Sequence, residues 1–209
     1  MRDIIIYATD TMADWEFAYL TTEVTRAERA RPGRFCVRFA GADTGSIRTL
    51  GGLPLTPDLG LDEIDAASTA AFVLPGGDTY SEGHLDALST VDRLIAEDVP
   101  IGAICGATFA LARHGLLDSI AHTSNAPSFL LESGYDGGRH YRHVDAITDG
   151  GITTATGLRP IAFTAEILRA AGIFPDAYID AWLELNSSAS EKGFNAYMEQ
   201  AQSFAQSAQ

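Results

Sequence analysis

Apolar and polar positions along this chain fall into alternating blocks. Ile4 to Ala8, Ala70 to Leu74 and Ile101 to Ile104 are short apolar runs of strand length, and longer stretches with apolar residues at helical spacing stand between them. The first run ends at the polar loop Thr9-Asp-Thr-Met12, after which a helix is predicted from about Asp14, with Asp14 as its N-cap. Arg34 to Gly41 reads as the next strand, and Ser46 to Leu55 as a hairpin-like excursion around Gly51-Gly52. Ala70 to Leu74 ends at Pro75-Gly76-Gly77, helices are predicted over 83–97 and 160–171, and Ala146 to Ala155 reads as two short strands around Asp149-Gly150-Gly151. Strands alternating with helical patterns imply βαβ units, hence an α/β, doubly wound, mostly parallel sheet flanked by helices.

From Pro175 onward the pattern turns wholly helical, which divides the chain into an α/β unit over 1–174 and a helical extension of the same domain over 175–209. Asp176 to Leu185 has a helical pattern, and Ser188-Ala-Ser-Glu191 has capping-box spacing ahead of a second helix. There Phe194, Tyr197, Met198, Ala201 and Phe204 make one apolar face, expected to pack on its own chain, with a dimer contact as the alternative.

The densest chemical signal is Pro100-Ile-Gly-Ala-Ile-Cys105-Gly-Ala-Thr-Phe-Ala-Leu-Ala112. A buried strand turns abruptly into a helix with a lone cysteine at the apex, and small residues (Ala103, Ala107) stand two places to either side. This is the pattern of a nucleophile elbow. A helix starting at Gly106 aims its free N–H groups at the sulfur and favours the thiolate, the reactive form. The competing reading is a buried, inert cysteine at a strand end.

In an open parallel sheet the working cleft lies beyond the carboxyl ends of the strands. Three loops converge there: the one carrying Glu16, the Pro75-Gly76-Gly77-Asp78 turn, and the elbow. Glu16 is either a first-turn carboxylate favoured by the helix dipole or an acid within reach of Cys105, with a raised pKa and a proton for the sulfur. Gly76 and Gly77 either make a tight turn or allow close backbone approach, with the Gly77 and Gly106 N–H groups as an oxyanion hole. Asp78, Ala107 and Asn125 complete the expected cleft lining.

Charge removes some classes of partner. With 14 basic against 28 acidic residues and a formal net charge of −14, the chain is a poor match for nucleic acid or an anionic membrane surface. The apolar start, Met1 to Ala8, is too short for a signal h-region, and no stretch reaches transmembrane length, so a cytoplasmic protein with free Cys36 and Cys105 is expected. No HxxxH, CxxC or clustered ligand spacing occurs, so neither a metal nor another cofactor is expected.

The order strand–Glu16, Leu-Pro-Gly-Gly, then Ala-Ile-Cys-Gly-Ala resembles the ThiJ/PfpI (parkinsonism-associated deglycase) superfamily, within the flavodoxin-like, class I glutamine amidotransferase-like fold. Asp149-Gly-Gly-Ile-Thr-Thr-Ala-Thr-Gly157 with Phe163-Thr-Ala-Glu-Ile-Leu168 is similar to its final strand and helix, so the likeness covers about residues 3–172. Ala112-Arg-His-Gly-Leu-Leu-Asp118 followed by His122-Thr-Ser-Asn125 resembles a bacterial branch loosely labelled protease-like or amidotransferase-like. The resemblance implies Cys105 as nucleophile, Glu16 as the acid that contacts it, and a homodimer. Departures limit it. Superfamily members thought to be peptidases carry histidine directly after the cysteine, where this chain has Gly106. Glyoxalase or deglycase members use a histidine from the loop matching His122 to Asn125, and here the register offers Ser124 or Asn125, with His122 a few residues early. The histidine–glutamate pair of amidotransferases proper is missing around Thr153 to Pro160.

The histidines divide accordingly. His114 reads as a helix C-terminal residue, His84 as a solvated first-turn residue, His140 and His143 as surface or site, and His122 as the one placed near the cleft. Two functions stay open. One is a cysteine-dependent enzyme acting on a small electrophilic carbonyl or amide, the other a redox-responsive stress or chaperone protein using the same thiol. A peptidase or amidotransferase-like hydrolase is disfavoured by the missing histidine.

Overall fold

The first strand, β1 (Arg2–Ala8), buries both faces, as its unbroken apolar run requires. Ile4, Ile6 and Ala8 enter one core cluster and Ile5 and Tyr7 the other, so the strand is the partition between two helical layers. In the computed structural model, which describes residues 1–207, β1 leads through a turn into α1 (Asp14–Ala30) and returns through β2 (Phe35–Gly41). The excursion around Gly51-Gly52 is a small antiparallel ladder of β3 (Ile47–Arg48) and β4 (Pro54–Leu55). Next come β5 (Leu59–Gly60), β6 (Thr69–Leu74), α2 (Leu85–Ile95), β7 (Ile101–Ile104), α3 (Gly106–Arg113) and a short α4 (Pro127–Leu131). The chain then forms β8 (Ala146–Asp149), β9 (Ile152–Ala155), α5 (Pro160–Ala170), α6 (Asp176–Ser188) and α7 (Glu191–Gln206).

Seven strands make the central sheet in the order β5-β2-β1-β6-β7-β9-β8, and every neighbouring pair is parallel except β8–β9. Residues of α1, α5, α6 and α7 share the core of Ile4 and Ile6, while α2 and α3 share that of Ile5 and Phe72. The sheet is therefore doubly wound, and its carboxyl ends carry the turns after β1, β6, β7 and β9. No helix among the described residues is long and apolar enough to cross a membrane.

Three cap and packing expectations are corrected. Asp14 is the first helical residue and Ala13 the N-cap, because the Asp14 carboxylate is spent on the Gly51 N–H across the hairpin (2.7 Å). Ser188 belongs to α6; Ala189 turns left-handed, and Ser190 caps α7 by accepting from the Gly193 N–H (3.0 Å). The apolar stripe of α7 is also split. Phe204 is buried, with Tyr197 and Ala201 packed beside its core, whereas Phe194 and Met198 are about half exposed. The distal half of α7 thus meets the core it shares with α1 and α6, while near its start the buried Gly193 lies against the Leu185 backbone of α6.

Candidate active site

Cys105 sits between β7 and α3 with φ 57° and ψ −123°, a conformation that L-residues rarely adopt. Neighbours hold it there. Its N–H donates to the Ala155 carbonyl of the adjacent strand (3.1 Å), and the Thr108 hydroxyl donates to its carbonyl (2.6 Å). Since Thr108 has one proton and uses it there, the buried Ser124 hydroxyl is the donor in the 2.6 Å bond between them. The strained turn aims the sulfur at the carboxyl edge of the sheet.

Glu16, in the first turn of α1, is 1 % exposed. Its Oε2 accepts from the Gly76 N–H at 2.6 Å, while Oε1 is buried without a hydrogen-bond partner. Oε1 lies against the sulfur: a methyl group placed on Gly157 would stand 2.7 Å from Oε1 and 2.8 Å from Cys105 Sγ. Burial pushes the Glu16 carboxyl up to about 7, against the opposing pull of the Gly76 N–H and the Cys105 thiol. Burial also pushes the Cys105 thiol up, with the Glu16 carboxylate adding to it and the Asn125 amide and Gly106 N–H pulling the other way. The expected helix-terminus effect is therefore present but outweighed by desolvation. A proton on Glu16 removes the repulsion and leaves two donors on the sulfur.

Two glycines make the close approach possible. A side chain at Gly76 would run into Cys105 Cβ (2.6 Å) and Glu16 Oε2 (2.8 Å), so the Gly76-Gly77 turn passes directly over the acid–thiol pair. Gly157 closes the other side in the same way. Its N–H donates to Asn125 Oδ1 (2.9 Å), and the Thr156 hydroxyl donates to that oxygen too (3.3 Å). With its oxygen so engaged, Asn125 turns its amide nitrogen to the sulfur, Nδ2 to Sγ being 3.3 Å. The Trp15 indole N–H donates to the Gly157 carbonyl (3.1 Å), which leaves the ring half exposed beside the site.

The Gly106 N–H favours the thiolate, and the Gly77 N–H donates to no acceptor among the described residues. The two amides lie at adjoining turns, a methyl on Gly106 falling 3.3 Å from the Gly77 nitrogen. Asp78 rides on the exposed part of this turn, where its N–H is held by the Thr11 hydroxyl (2.9 Å).

Other expected site residues lie elsewhere. His122 is fully buried, with Nδ1 bonded to the Ile120 carbonyl (2.8 Å) and Nε2 to the Tyr135 hydroxyl (3.1 Å), so it is a core histidine and Asn125 stands at the sulfur instead. Ala107 is likewise fully buried, on the core-facing side of α3 rather than lining the cleft. His84 is not solvated: it bonds Tyr7 and Thr79 (3.0 Å each) and stacks on Tyr80, tying the end of the Gly76-Gly77 loop to β1. His114 caps the C-terminus of α3 and bonds Asp92 (2.8 Å). Gly157 and Trp15 were not singled out by the sequence. Their signal was the Ala-Thr-Gly that ends β9 at the same rim as the elbow, and the aromatic residue directly before Glu16.

Known proteins share this arrangement of chain. The model of the DJ-1/PfpI family matches residues 2–170. A Bacillus subtilis protein named as the uncharacterized protease YoaZ is 33% identical over 192 residues, covering 90% of this chain and 91% of its own. Among solved structures, a thiJ/pfpI family protein from Bacillus anthracis superposes with a TM-score of 0.87 at 33% identity, over 95% of this chain and 96% of its own. A DJ-1 superfamily protein from Agrobacterium tumefaciens gives a TM-score of 0.79 at 34% identity, over 90% of this chain and 99% of its own. With the fold, the family model and these relatives in agreement over most of the chain, the protein belongs to the DJ-1/PfpI family.

Proposed function

We propose that the protein is a cysteine-dependent enzyme acting on a small electrophilic carbonyl or amide, with Cys105 as nucleophile and Glu16 as proton carrier. The observation that carries this reading is the unpartnered Glu16 Oε1 against Cys105 Sγ, on a carboxyl whose pKa of about 7 lets it both hold and release a proton at neutral pH. In the first step the thiolate forms a C–S bond to the carbonyl carbon and the π pair moves onto oxygen. The Gly77 and Gly106 N–H groups receive that oxyanion. The Glu16 proton then passes to the oxygen of an aldehyde or to the departing nitrogen of an amide, and the carboxylate left behind is ready to take a proton from water.

A peptidase reading draws only on the name of the Bacillus subtilis relative. Among the described residues the polar side chains at Cys105 are Glu16 and Asn125, and no imidazole stands there as the base of a cysteine–histidine pair. A second reading keeps the same atoms. The Glu16 carboxyl and the Asn125 amide also suit an oxidised sulfur, which favours a redox-responsive thiol in a stress or chaperone protein.

Incubation with methylglyoxal and, separately, with peroxide distinguishes the two readings when turnover and the mass of Cys105 are followed together. Turnover of methylglyoxal without stoichiometric oxidation supports the enzyme. Single-site oxidation of Cys105 with no carbonyl turnover overturns it in favour of the sensor.

A further inference from the structure

A cavity of about 610 Å³ lies where the chain leaves Gly157 and enters α5. Its floor and walls include Leu158, Ile161, Ala162 and Leu183, at the start of α5 and the end of α6. Leu158 follows directly on Gly157, the residue pressed against Sγ, so the cavity wall continues the backbone that borders the acid–thiol pair. Both compartments lie at the carboxyl end of the sheet, because Ala146 at the cavity pairs with Ala155, whose carbonyl anchors Cys105.

The charged groups of the cavity are already matched. Asp145 is paired with Arg159 (3.1 Å), and Glu166 is paired with Arg169 (3.3 Å) while accepting from the Thr148 hydroxyl (2.8 Å). A charged ligand would find no free counter-charge there. An uncharged apolar group would meet Leu158, which is 81% exposed, together with Ile161 and Leu183. The volume is that of a small-ligand site.

We infer that this cavity is a subsite for an uncharged, apolar tail of the substrate, so that the preferred electrophile carries an alkyl or aryl chain extending from the carbon attacked by Cys105 across Gly157 into the pocket. This rests on the reading of Cys105 as nucleophile. The step used to test it is alkylation: the thiolate forms a C–S bond to the methylene carbon of an iodoacetamide and iodide leaves with the C–I pair.

The probes are iodoacetamide and N-hexyl-iodoacetamide, with N-acetylcysteine as the free-thiol reference and the Cys105 adduct followed by mass. The ratio of hexyl to unsubstituted rate is expected to exceed that of the free thiol about tenfold, a fraction of what burying the whole hexyl chain would contribute. Filling the cavity with Ala162→Trp, or placing a charge on its wall with Leu183→Glu, is expected to return the ratio to the free-thiol value. A wild-type ratio equal to that of free cysteine overturns the subsite, as does an elevated ratio untouched in both variants. So does sedimentation showing that Ala162→Trp splits a wild-type dimer, because the cavity is then a contact between copies. The underlying nucleophile reading fails by a different sign: Cys105 labelling with iodoacetamide no faster than Cys36.

Discussion

The free oxygen of Glu16 and the sulfur of Cys105 face each other across the backbone of Gly157, close enough that one added methyl group would touch both. Two acids at this separation do not titrate independently. Below about pH 7 both hold their protons; above it the pair shares one, and the thiolate exists to the extent that the proton rests on Glu16. Alkylation of Cys105 by iodoacetamide is therefore expected to rise in two steps, the lower with an inflection near pH 7. Glu16→Gln removes the lower step and leaves a single rise at higher pH. A wild-type profile with one high inflection, identical in the variant, shows that the pair does not share a proton. At neutral pH Cys105 is also expected to label faster than Cys36, whose thiol is pushed up by burial and by Asp3 and donates to the Val37 carbonyl (3.5 Å).

Glu16 also makes stability depend on pH, with a sign opposite to that of a salt-bridged carboxylate. Its folded pKa of about 7 lies above the ordinary value of 4.5, so between those limits the folded state binds more protons than the unfolded one. The contribution is complete below the unfolded value and is lost as pH rises to 7, up to on the order of 3 kcal/mol. Denaturant midpoints of the wild type are expected to fall from pH 5 to pH 7.5. The Glu16→Gln variant, with no proton to lose, is expected to fall less over the same range. Parallel curves would place the pH dependence elsewhere.

Gly157→Ala tests the close packing directly. The new methyl lands on Glu16 Oε1 and Cys105 Sγ at under 3 Å, and the Gly157 N–H that orients Asn125 must shift with it. Overpacking of this kind costs about 1–3 kcal/mol. The variant is expected to lose Cys105 reactivity at least tenfold while circular dichroism reports an intact fold. Reactivity equal to wild type would show that the pair has room to spare.

Much of this arrangement was legible in the chain. The unbroken apolar runs of β1, β6 and β7 and the elbow spacing around Cys105 specify the sheet and the position of the thiol, because both depend on local pattern. The turn of Glu16 toward the same rim follows from its place one loop after β1. What the pattern did not reveal are relations between distant residues. His122 and Asn125 are three apart in one loop; Ile120 and Tyr135 hold the imidazole inward, and Thr156 and Gly157 hold the Asn125 oxygen so that its amide nitrogen meets the sulfur. His84 reads as a first-turn surface residue until Tyr7, 77 positions away, is seen to bond it. The Ser188 cap failed for a local reason, since α6 continues past it and the left-handed Ala189 moves the boundary to Ser190.

Asn125 is placed to tune the thiol, and its two ends separate by substitution. Asn125→Ala removes both the donor to sulfur and the acceptor for the Gly157 N–H. Asn125→Asp keeps the acceptor but brings a negative charge to the sulfur, which disfavours the thiolate. Both variants are expected to shift the reactivity profile of Cys105 to higher pH, Asp further than Ala. An Asp variant as reactive as wild type at pH 7 would show that the 3.3 Å contact carries no electrostatic weight.

The α7 helix is held by its far end. The Phe204 ring packs on Phe174 and Tyr178, the Arg31 guanidinium lies 3.9 Å from its centroid, and the same guanidinium donates to the Phe204 carbonyl (2.8 Å). Nearer the start of the helix, Tyr197 meets Tyr178 through their hydroxyls (3.2 Å), and Tyr178 donates to the buried Glu23 of α1 (3.2 Å). Phe204→Ala opens a cavity in this cluster and is expected to cost about 3–5 kcal/mol, read as a lowered denaturant midpoint. Phe194→Ala, at a ring about half exposed, is expected to stay within about 0.5 kcal/mol. Deleting residues 188–209 should lower Tm without altering the association state, since the buried side of α7 is already matched by α1 and α6. A truncated chain that turns monomeric while keeping its Tm would instead assign the exposed Phe194–Met198 side to a second copy.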